Sequence, residues 1–220
     1  MRLIGMLDSP YVRRVAISLQ LLDLRFAHES ISVFRQFDAF AAINPVVKAP
    51  TLVCDDGEVL LDSTLILDHA ETLAAGRKSL MPVDPRSRQH ALRRIGLALA
   101  ACEKSVQIIY ERSLRPEAKQ HAPWIDRVTG QMLVALDALE AELGRSPLAE
   151  ETATIGQDGV TAAVTWHFIQ ATSVAALVPP ERFPTLRGFS ERAETLAAFR
   201  AAPHGDATYR DSPASNETAP

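Results

Sequence analysis

The pattern of hydrophobic and polar positions changes near residue 85 of this 220-residue chain. Before that point, short apolar runs typical of strands alternate with stretches in which apolar residues have helical spacing. After it, apolar residues recur every three or four positions, most clearly between Ile125 and Leu143. The pattern therefore predicts a mixed α/β segment followed by an all-helical one.

The mixed segment opens with a strand and a helix. Residues 2–7 form an apolar run that predicts a buried strand, and Ser9-Pro10 is a helix start with Ser9 as N-cap and Pro10 as the first helical residue. Residues 26–31 predict a second strand. Residues 34–43 are irregular or weakly helical and lead into a second crossover.

A hairpin and a third helix complete the mixed segment. Residues 50–54 and 58–61 are apolar runs separated by Asp55-Asp56-Gly57, and an Asp-Gly step between such runs predicts an antiparallel hairpin. Ser63 then opens a helix that ends near Gly76. The predicted order of elements is βαβαββα.

Breaks in the pattern divide the chain into four parts. Residues 1–76 form the mixed domain, and residues 77–85, which contain two prolines and fit no periodic pattern, are assigned to a linker. Residues 86–203 form the helical domain. Residues 204–220 are rich in polar residues with almost no apolar content, which predicts a disordered tail.

Two local signals locate helices within the helical domain. The segment from Thr154 to Gln157 fits a capping box with Thr154 as N-cap, and it predicts a buried helix over residues 158–176. Phe183-Pro184 introduces a last helix, which closes before Pro203.

Composition excludes several classes of protein. Hydrophobic residues make up 47% and charged residues 23% of the chain, as in globular proteins. The net charge of −4 gives no electrostatic reason to expect nucleic acid or an anionic membrane as partner. Asp8 and Pro10 interrupt the apolar core that a signal peptide needs, and no apolar run is long enough to span a membrane, so we expect a cytoplasmic protein.

Cysteine and histidine content argues against two kinds of site. The only two cysteines, Cys54 and Cys102, cannot build a disulfide framework or a zinc site with paired Cys-x-x-Cys ligands. The six histidines include no His-x-x-x-His pair. We therefore expect no catalytic metal.

Three separated motifs resemble those of the cytosolic glutathione transferases, in the bacterial group with a serine-type active site. They are Ser9-Pro10-Tyr11-Val12-Arg13, Asn44-Pro45-Val46-Val47-Lys48-Ala49-Pro50-Thr51-Leu52, and Asp62-Ser63. Their order and spacing match the family, and the resemblance extends over about residues 1–203. It implies a thioredoxin-like α/β N-terminal domain with a mixed four-stranded sheet, followed by an all-α C-terminal helical bundle.

Ser9 is the candidate catalytic residue. It occupies the position where thioredoxin-like redox proteins carry the first cysteine of Cys-x-x-Cys, and Val12 occupies the second, so dithiol exchange is excluded. A serine hydroxyl at a helix N-terminus can donate to an anion. The resemblance implies that this anion is the glutathione thiolate, whereas the residues alone favour a simple helix cap. Lowering a thiol pKa of about 8.5 by about two units requires about 2.7 kcal/mol.

Five residues are candidates for binding glutathione. The resemblance implies that Pro50 follows a cis bond, which lets the backbone of Ala49 pair with the cysteinyl residue of the tripeptide. Ser63 would bind the α-carboxylate of the γ-glutamyl residue, and Asp62 would accept from its ammonium group. The family more often has Glu or Gln before this serine, and Asp62 is shorter. Lys48 would neutralise the glycine carboxylate, unless it is a solvated loop residue.

A second-substrate pocket is expected between the two domains. Its candidate lining residues are Tyr11, Cys102, Ser105, Val106, Ile109 and Tyr110. Arg13 and Arg14 are interpreted as solvent or interdomain residues.

The function that this resemblance implies is conjugation of the glutathione thiolate to a small apolar electrophile, as in detoxification. Glutathione would be a co-substrate, no other cofactor is expected, and the protein would act as a homodimer. One alternative is a non-catalytic interaction module with the same fold, since the Asp62 position is weakened. A glutathione-dependent isomerase or peroxidase is another, although the isomerases typically carry Ser-Ser-Cys where this chain has Leu7-Asp8-Ser9.

Overall fold

The structure, a computed structural model, describes residues 1–74 and 79–209 and divides into two compact units. The first unit comprises Met1–Leu80 together with the chain from Thr195 onward, and the second comprises Met81–Glu194. Residues 195–203, which the sequence assigns to the helical domain, therefore group with the first unit. Residues 75–78, at the predicted domain boundary, lie outside the described residues.

The elements of the chain follow the predicted order through the first unit. The strands and α-helices are β1 (Arg2–Ile4), α1 (Pro10–Leu21), β2 (Ala27–Glu29), α2 (Phe37–Ala41), β3 (Thr51–Val53), β4 (Val59–Leu61), α3 (Ser63–Leu73), α4 (Pro85–Leu114), α5 (Ala122–Arg145), α6 (Gln157–Ala171), α7 (Pro184–Ala193) and α8 (Ala197–Ala201). Short 3₁₀ helices span Glu117–Lys119, Ser173–Leu177 and Pro180–Arg182. The predicted last helix is thus two helices, α7 and α8.

The sheet of the first unit is mixed and has the strand order β2-β1-β3-β4. β1 pairs in parallel with β2, where Leu3 lies opposite His28, and antiparallel with β3, where Leu3 lies opposite Leu52. β3 and β4 form the predicted antiparallel hairpin. The four-stranded thioredoxin-like sheet is confirmed, with strands shorter than the apolar runs that predict them.

Helix α1 is buried along almost its whole length. Val12, Val15, Ala16 and Leu19 are fully buried, as their helical spacing predicts. The expectation of a solvent or interdomain residue is wrong for Arg14, and Arg13 is not a solvent residue but contacts α8, which the sequence assigns to the helical domain. Their exposed fractions are only 1% and 2%, and both form hydrogen bonds within the first unit.

Arg13 attaches α8 to α1. Its Nε donates to the carbonyl of Ala202 over 2.8 Å, and its Nη2 donates to the carbonyl of Phe199 over 3.4 Å. These carbonyls lie at the C-terminal end of α8, where that of Phe199 also accepts the N–H of Ala202 over 3.2 Å. Gln20 adds a 3.0 Å hydrogen bond from Nε2 to the carbonyl of Ala198. These bonds explain why α8 belongs to the first unit.

Residues 204–209, the first part of the predicted tail, also contact the first unit. The ring of Tyr209 stacks on Phe26 with 4.5 Å between centroids, and Asp206 forms a 3.0 Å ion pair with Arg35. Disorder therefore does not extend to these six residues, because their polar groups and one aromatic ring find partners. Residues 210–220 of the predicted tail lie outside the described residues.

The second unit is helical, as predicted, and a buried ion pair joins two of its helices. Arg94 on α4 donates to Asp158 on α6 over 3.1 Å and to the carbonyl of Ser146 over 2.9 Å. The predicted capping box is wrong, since α6 begins at Gln157 after Gly156 without a side-chain cap. None of the described helices combines the length and the apolar character needed to cross a membrane.

We expect Arg13→Met to lower the free energy of unfolding by about 2–4 kcal/mol, because two buried carbonyls lose a charged donor. Urea-induced unfolding measures this change. The control is Arg88→Met on the exposed face of α4, which should change the free energy of unfolding by less than about 0.5 kcal/mol. Equal effects of the two substitutions would contradict this account of Arg13.

Candidate functional site

The end of β1 brings together the segments that carry most of the candidate residues. Gly5 has a φ of 131°, and a Cβ atom on it would lie 2.7 Å from Cγ2 of Val12 and 3.0 Å from Cβ of Ala49. Only glycine fits this close approach without displacing its neighbours. The first turn of α1 and the loop before Pro50 are therefore held against the same point of the sheet.

Ser9 caps α1, as predicted. Its Oγ accepts a hydrogen bond from the backbone N–H of Val12 over 3.4 Å, which is long for such a bond. Because Oγ is the acceptor in this cap, the hydroxyl proton is left to donate elsewhere. Ser9 is half-buried, so its hydroxyl can be reached from the surface of the first unit. The positive end of the twelve-residue helix α1 lies beside this hydroxyl.

The loop before β3 carries a cis peptide bond between Ala49 and Pro50, as the family resemblance implies. Two buried polar side chains brace this loop. Asn44 donates from Nδ2 to Oγ1 of Thr51 over 2.8 Å, and Thr51 donates to the carbonyl of Lys48 over 2.7 Å. Ala49 is half-buried, and Lys48 is exposed. The motif from Asn44 to Thr51 thus fixes the backbone on both sides of Ala49.

The start of α3 is capped by Asp62 and not by Ser63. Oδ1 of Asp62 accepts the N–H of Thr64 over 2.9 Å, and Asp62 has a φ of 72°, a backbone conformation that side chains rarely adopt. Ser63 is only 4% exposed. Helix capping therefore does not account for the Ser63 hydroxyl.

The partner of the Ser63 hydroxyl is Arg14, a residue that the sequence analysis missed. Nη1 of Arg14 lies 3.1 Å from Oγ of Ser63 and 3.3 Å from Oγ1 of Thr64. A buried guanidinium thus adds a full positive charge to the positive end of α3. One signal was present in the sequence: Arg14 lies inside a run from Val12 to Leu19 in which apolar residues occur on every side of the helix.

Negative charge also lies near Ser9. The neighbouring Asp8 is exposed, and partial loss of hydration raises the pKa of its carboxyl. The charge of His204 lowers this pKa, and that of Asp206 raises it. Within residues 1–74 and 79–209, no three His, Cys, Asp or Glu side chains form a group that could hold a metal ion.

The candidate residues for the second substrate fall in both units. Tyr11 is half-buried in the first unit. On α4, Cys102 and Ser105 are buried, and Oγ of Ser105 donates to the carbonyl of Ala101 over 2.8 Å. Of the other three candidates on α4, Val106 and Ile109 are half-buried and Tyr110 is exposed. The pocket itself stays a prediction.

Comparison with known proteins gives a consistent result for the first unit. Residues 3–78 match the family model described as the N-terminal domain of glutathione S-transferases. The chain is 26% identical over 164 residues to the uncharacterized GST-like protein YibF of Escherichia coli strain K12. That alignment covers 74% of this chain and 80% of YibF.

Solved structures that resemble about nine-tenths of the chain include two with a ligand related to glutathione. A glutathione S-transferase of Methylobacterium radiotolerans, in complex with glutathione sulfonate, has a TM-score of 0.81 and 26% identity over 91% of this chain and 93% of its own. A glutathione transferase family member of Pseudomonas fluorescens Pf-5, with bound glutathione, has a TM-score of 0.74 and 26% identity, covering 91% of this chain and 97% of its own.

Two substitutions of Asp62 distinguish the stabilisation by its helix cap from the strain of its positive φ. We expect Asp62→Ala to lower the free energy of unfolding by about 1–2 kcal/mol, because the cap is lost and the unfavourable φ remains. Asp62→Gly loses the same cap but relieves the strain, so its loss should stay within about 0.5 kcal/mol. Urea-induced unfolding compares the two variants, and an equal loss would rule out strain at Asp62.

Proposed function

We propose that this chain, as a member of the glutathione S-transferase family whose N-terminal domain model matches residues 3–78, binds glutathione in its first unit and conjugates the thiolate to a small apolar electrophile. One observation supports this proposal above the others: the donor at Ser9, the loop at Ala49-Pro50 and the start of α3 with Arg14 behind it belong to the same compact unit.

Ser63 and the N-terminus of α3 bind the α-carboxylate of the γ-glutamyl residue in this proposal. Because Arg14 donates to Oγ of Ser63, the hydroxyl proton of Ser63 is left to donate to an incoming carboxylate. The backbone of Ala49 pairs with the cysteinyl residue, and the exposed ammonium of Lys48 neutralises the glycine carboxylate. Asp62 is the weakest candidate, since its Oδ1 already accepts the N–H of Thr64.

Ser9 stabilises the thiolate by donating its hydroxyl proton to the glutathione sulfur. A hydrogen bond to a charged group contributes about 1.5–3 kcal/mol, and a helix N-terminus contributes up to about 2 kcal/mol. Together they reach the approximately 2.7 kcal/mol that a two-unit fall in the thiol pKa requires, against the opposing charge of Asp8. The thiol proton passes to solvent, the sulfur bonds to the electrophilic carbon, and the leaving group departs with its electron pair.

We also infer that the protein acts as a homodimer in the cytoplasm. Two exposed leucines on α3, Leu65 and Leu73, support a contact between copies. A sedimentation mass equal to the 24.0 kDa of one chain would overturn this inference.

A non-catalytic interaction module is the second candidate, and one observation favours it. The Asp62 carboxylate is short and engaged in capping α3, which weakens the ammonium end of the proposed site. Such a module would not be retained on immobilised glutathione, whereas the proposed enzyme would be.

The role of Ser9 is tested with Ser9→Gly, because glycine at an N-cap costs only a few tenths of a kcal/mol while it removes the hydroxyl. We expect kcat/KM with glutathione and a chromogenic aryl halide to fall about 100-fold. The ultraviolet absorbance of the bound thiolate should appear at higher pH than in the wild type. Ser9→Thr keeps the hydroxyl and should retain most of the activity. Undiminished activity in Ser9→Gly would leave Ser9 as a helix cap only.

The role of Ser63 is tested with a matched pair of variants. Ser63→Ala and Thr64→Val each remove one hydroxyl that accepts a hydrogen bond from Arg14. Only Ser63→Ala should weaken binding of glutathione, by about tenfold, because only Ser63 donates to the carboxylate. Isothermal titration calorimetry measures the Kd values, and thermal melting of both variants checks that the fold is retained. Similar Kd values for the two variants would contradict this assignment.

A further inference from the structure

Residues 204–209, here called the clasp, pack against the edge of the sheet at β2. The backbone N–H of Tyr209 lies 2.9 Å from Nδ1 of His28, and the Tyr209 ring stacks on Phe26. Ser30 donates from Oγ to the carbonyl of Asp206 over 3.1 Å. The ion pair of Asp206 with Arg35 is largely exposed and adds little, so the contacts at His28 and Phe26 dominate.

The contacts of His28 specify its protonation state. Nε2 of His28 lies 2.7 Å from the carbonyl oxygen of Gly5, which can only accept, so Nε2 carries a proton. Nδ1 faces the N–H of Tyr209, which can only donate, so Nδ1 carries none. Only the neutral ring with its proton on Nε2 satisfies both partners. A second proton, on Nδ1, would point directly at the N–H of Tyr209 and break that hydrogen bond.

The charged surroundings of His28 do not favour the protonated ring. Burial lowers the pKa of His28, while the hydrogen bond to Gly5 and the charge of Glu29 raise it by less. The Glu29 carboxylate is itself paired with Arg2 over 2.6 Å. The ionisable groups on the clasp are His204, Asp206 and the phenol of Tyr209, and those on the adjoining loops are Asp8 and Arg35.

The groups that hold the clasp also hold the loop that carries Ser9. His28 bonds to the carbonyl of Gly5, at the start of that loop. Arg35, which pairs with the clasp, also lies 3.5 Å from the sulfur of Met6. The carbonyl of Met6 in turn accepts the N–H of Ser9 over 3.2 Å. Opening of the clasp therefore leaves His28 and Arg35, which contact the candidate catalytic loop, without their partners on the other side.

We propose that protonation of His28 opens the clasp and loosens the loop that carries Ser9, so that acidification weakens binding at the glutathione site. The opening of the clasp on protonation follows from the geometry around His28. Only its effect on glutathione binding rests on the proposed function.

The direction of the effect follows from the pKa of His28 in the two states. With the clasp closed this pKa lies below its ordinary value of 6.5, and with the clasp open it returns towards that value. The closed state therefore binds fewer protons, so closure is most favourable above pH 6.5 and weakens as the pH falls through that value. One proton changes the closing equilibrium by at most about tenfold for each pH unit.

Hydrogen exchange of the backbone amides of the clasp tests the switch without any ligand. From pH 7.5 to pH 5.5, the protection factor of the Tyr209 amide in the wild type should fall, with an upper limit of about tenfold. His28→Gln can still donate to Gly5 and accept from Tyr209 but does not titrate, so its protection should be the same at both pH values. Tyr209→Ala removes the ring stack and should lower protection at both pH values. Equal protection of the wild type at both pH values overturns the proposal.

Binding of S-methylglutathione tests the link to the site, because its blocked sulfur does not titrate. Calorimetry of the wild type should give a Kd about two- to tenfold higher at pH 5.5 than at pH 7.5, since less of the protein is binding-competent. His28→Gln should show no such rise. If exchange reports opening while the wild-type Kd is unchanged, the regulatory link is wrong. If S-methylglutathione does not bind at pH 7.5, the proposed function fails, and the exchange result still decides on the switch.

Discussion

A guanidinium group that leaves water must find oxygen acceptors, and α1 buries two of them in adjacent positions. Arg13 finds its acceptors at the end of α8, and Arg14 finds its acceptors at the start of α3. The first helix is thereby attached to the end of one helix and to the start of another. The arrangement of the first unit depends on this requirement at least as much as on the apolar face of α1, which packs without directional preference.

The same requirement concentrates positive charge in an acidic protein. The net charge of −4 gives no general attraction for a tripeptide with two carboxylates. The N-termini of α1 and α3, with Arg14 behind the second, create positive potential over a few ångströms, where a screened long-range field would contribute little. Asp8 limits this potential on the Ser9 side. The affinity expected at the site is thus a balance between neighbouring charges and not a property of the whole surface.

The sequence predicts the parts of the fold that local rules govern. The turn at Asp55-Asp56-Gly57 and the cap at Ser9 depend on residues within a few positions of one another, and both are confirmed. The partners of Arg13 and Arg14 are 189 and 49 residues away, so no local pattern could name them. The predicted capping box at Thr154 is wrong. The motif identifies residues able to form the two hydrogen bonds of the box, but it does not determine the backbone conformation that would bring them together. Composition likewise could not predict that the polar groups of residues 204–209 have specific partners in the first unit.

The return of the chain to the first unit has a consequence for its synthesis on the ribosome. The carbonyls that receive Arg13 belong to residues 199 and 202, which are translated long after the sheet and α1. Until then the nascent first unit lacks acceptors that it needs in the native state, while every residue of the second unit has already been made. Maturation of the thioredoxin-like part is thus delayed until α8 has been translated, and by then the helical part is complete and able to fold, although it comes second in the chain.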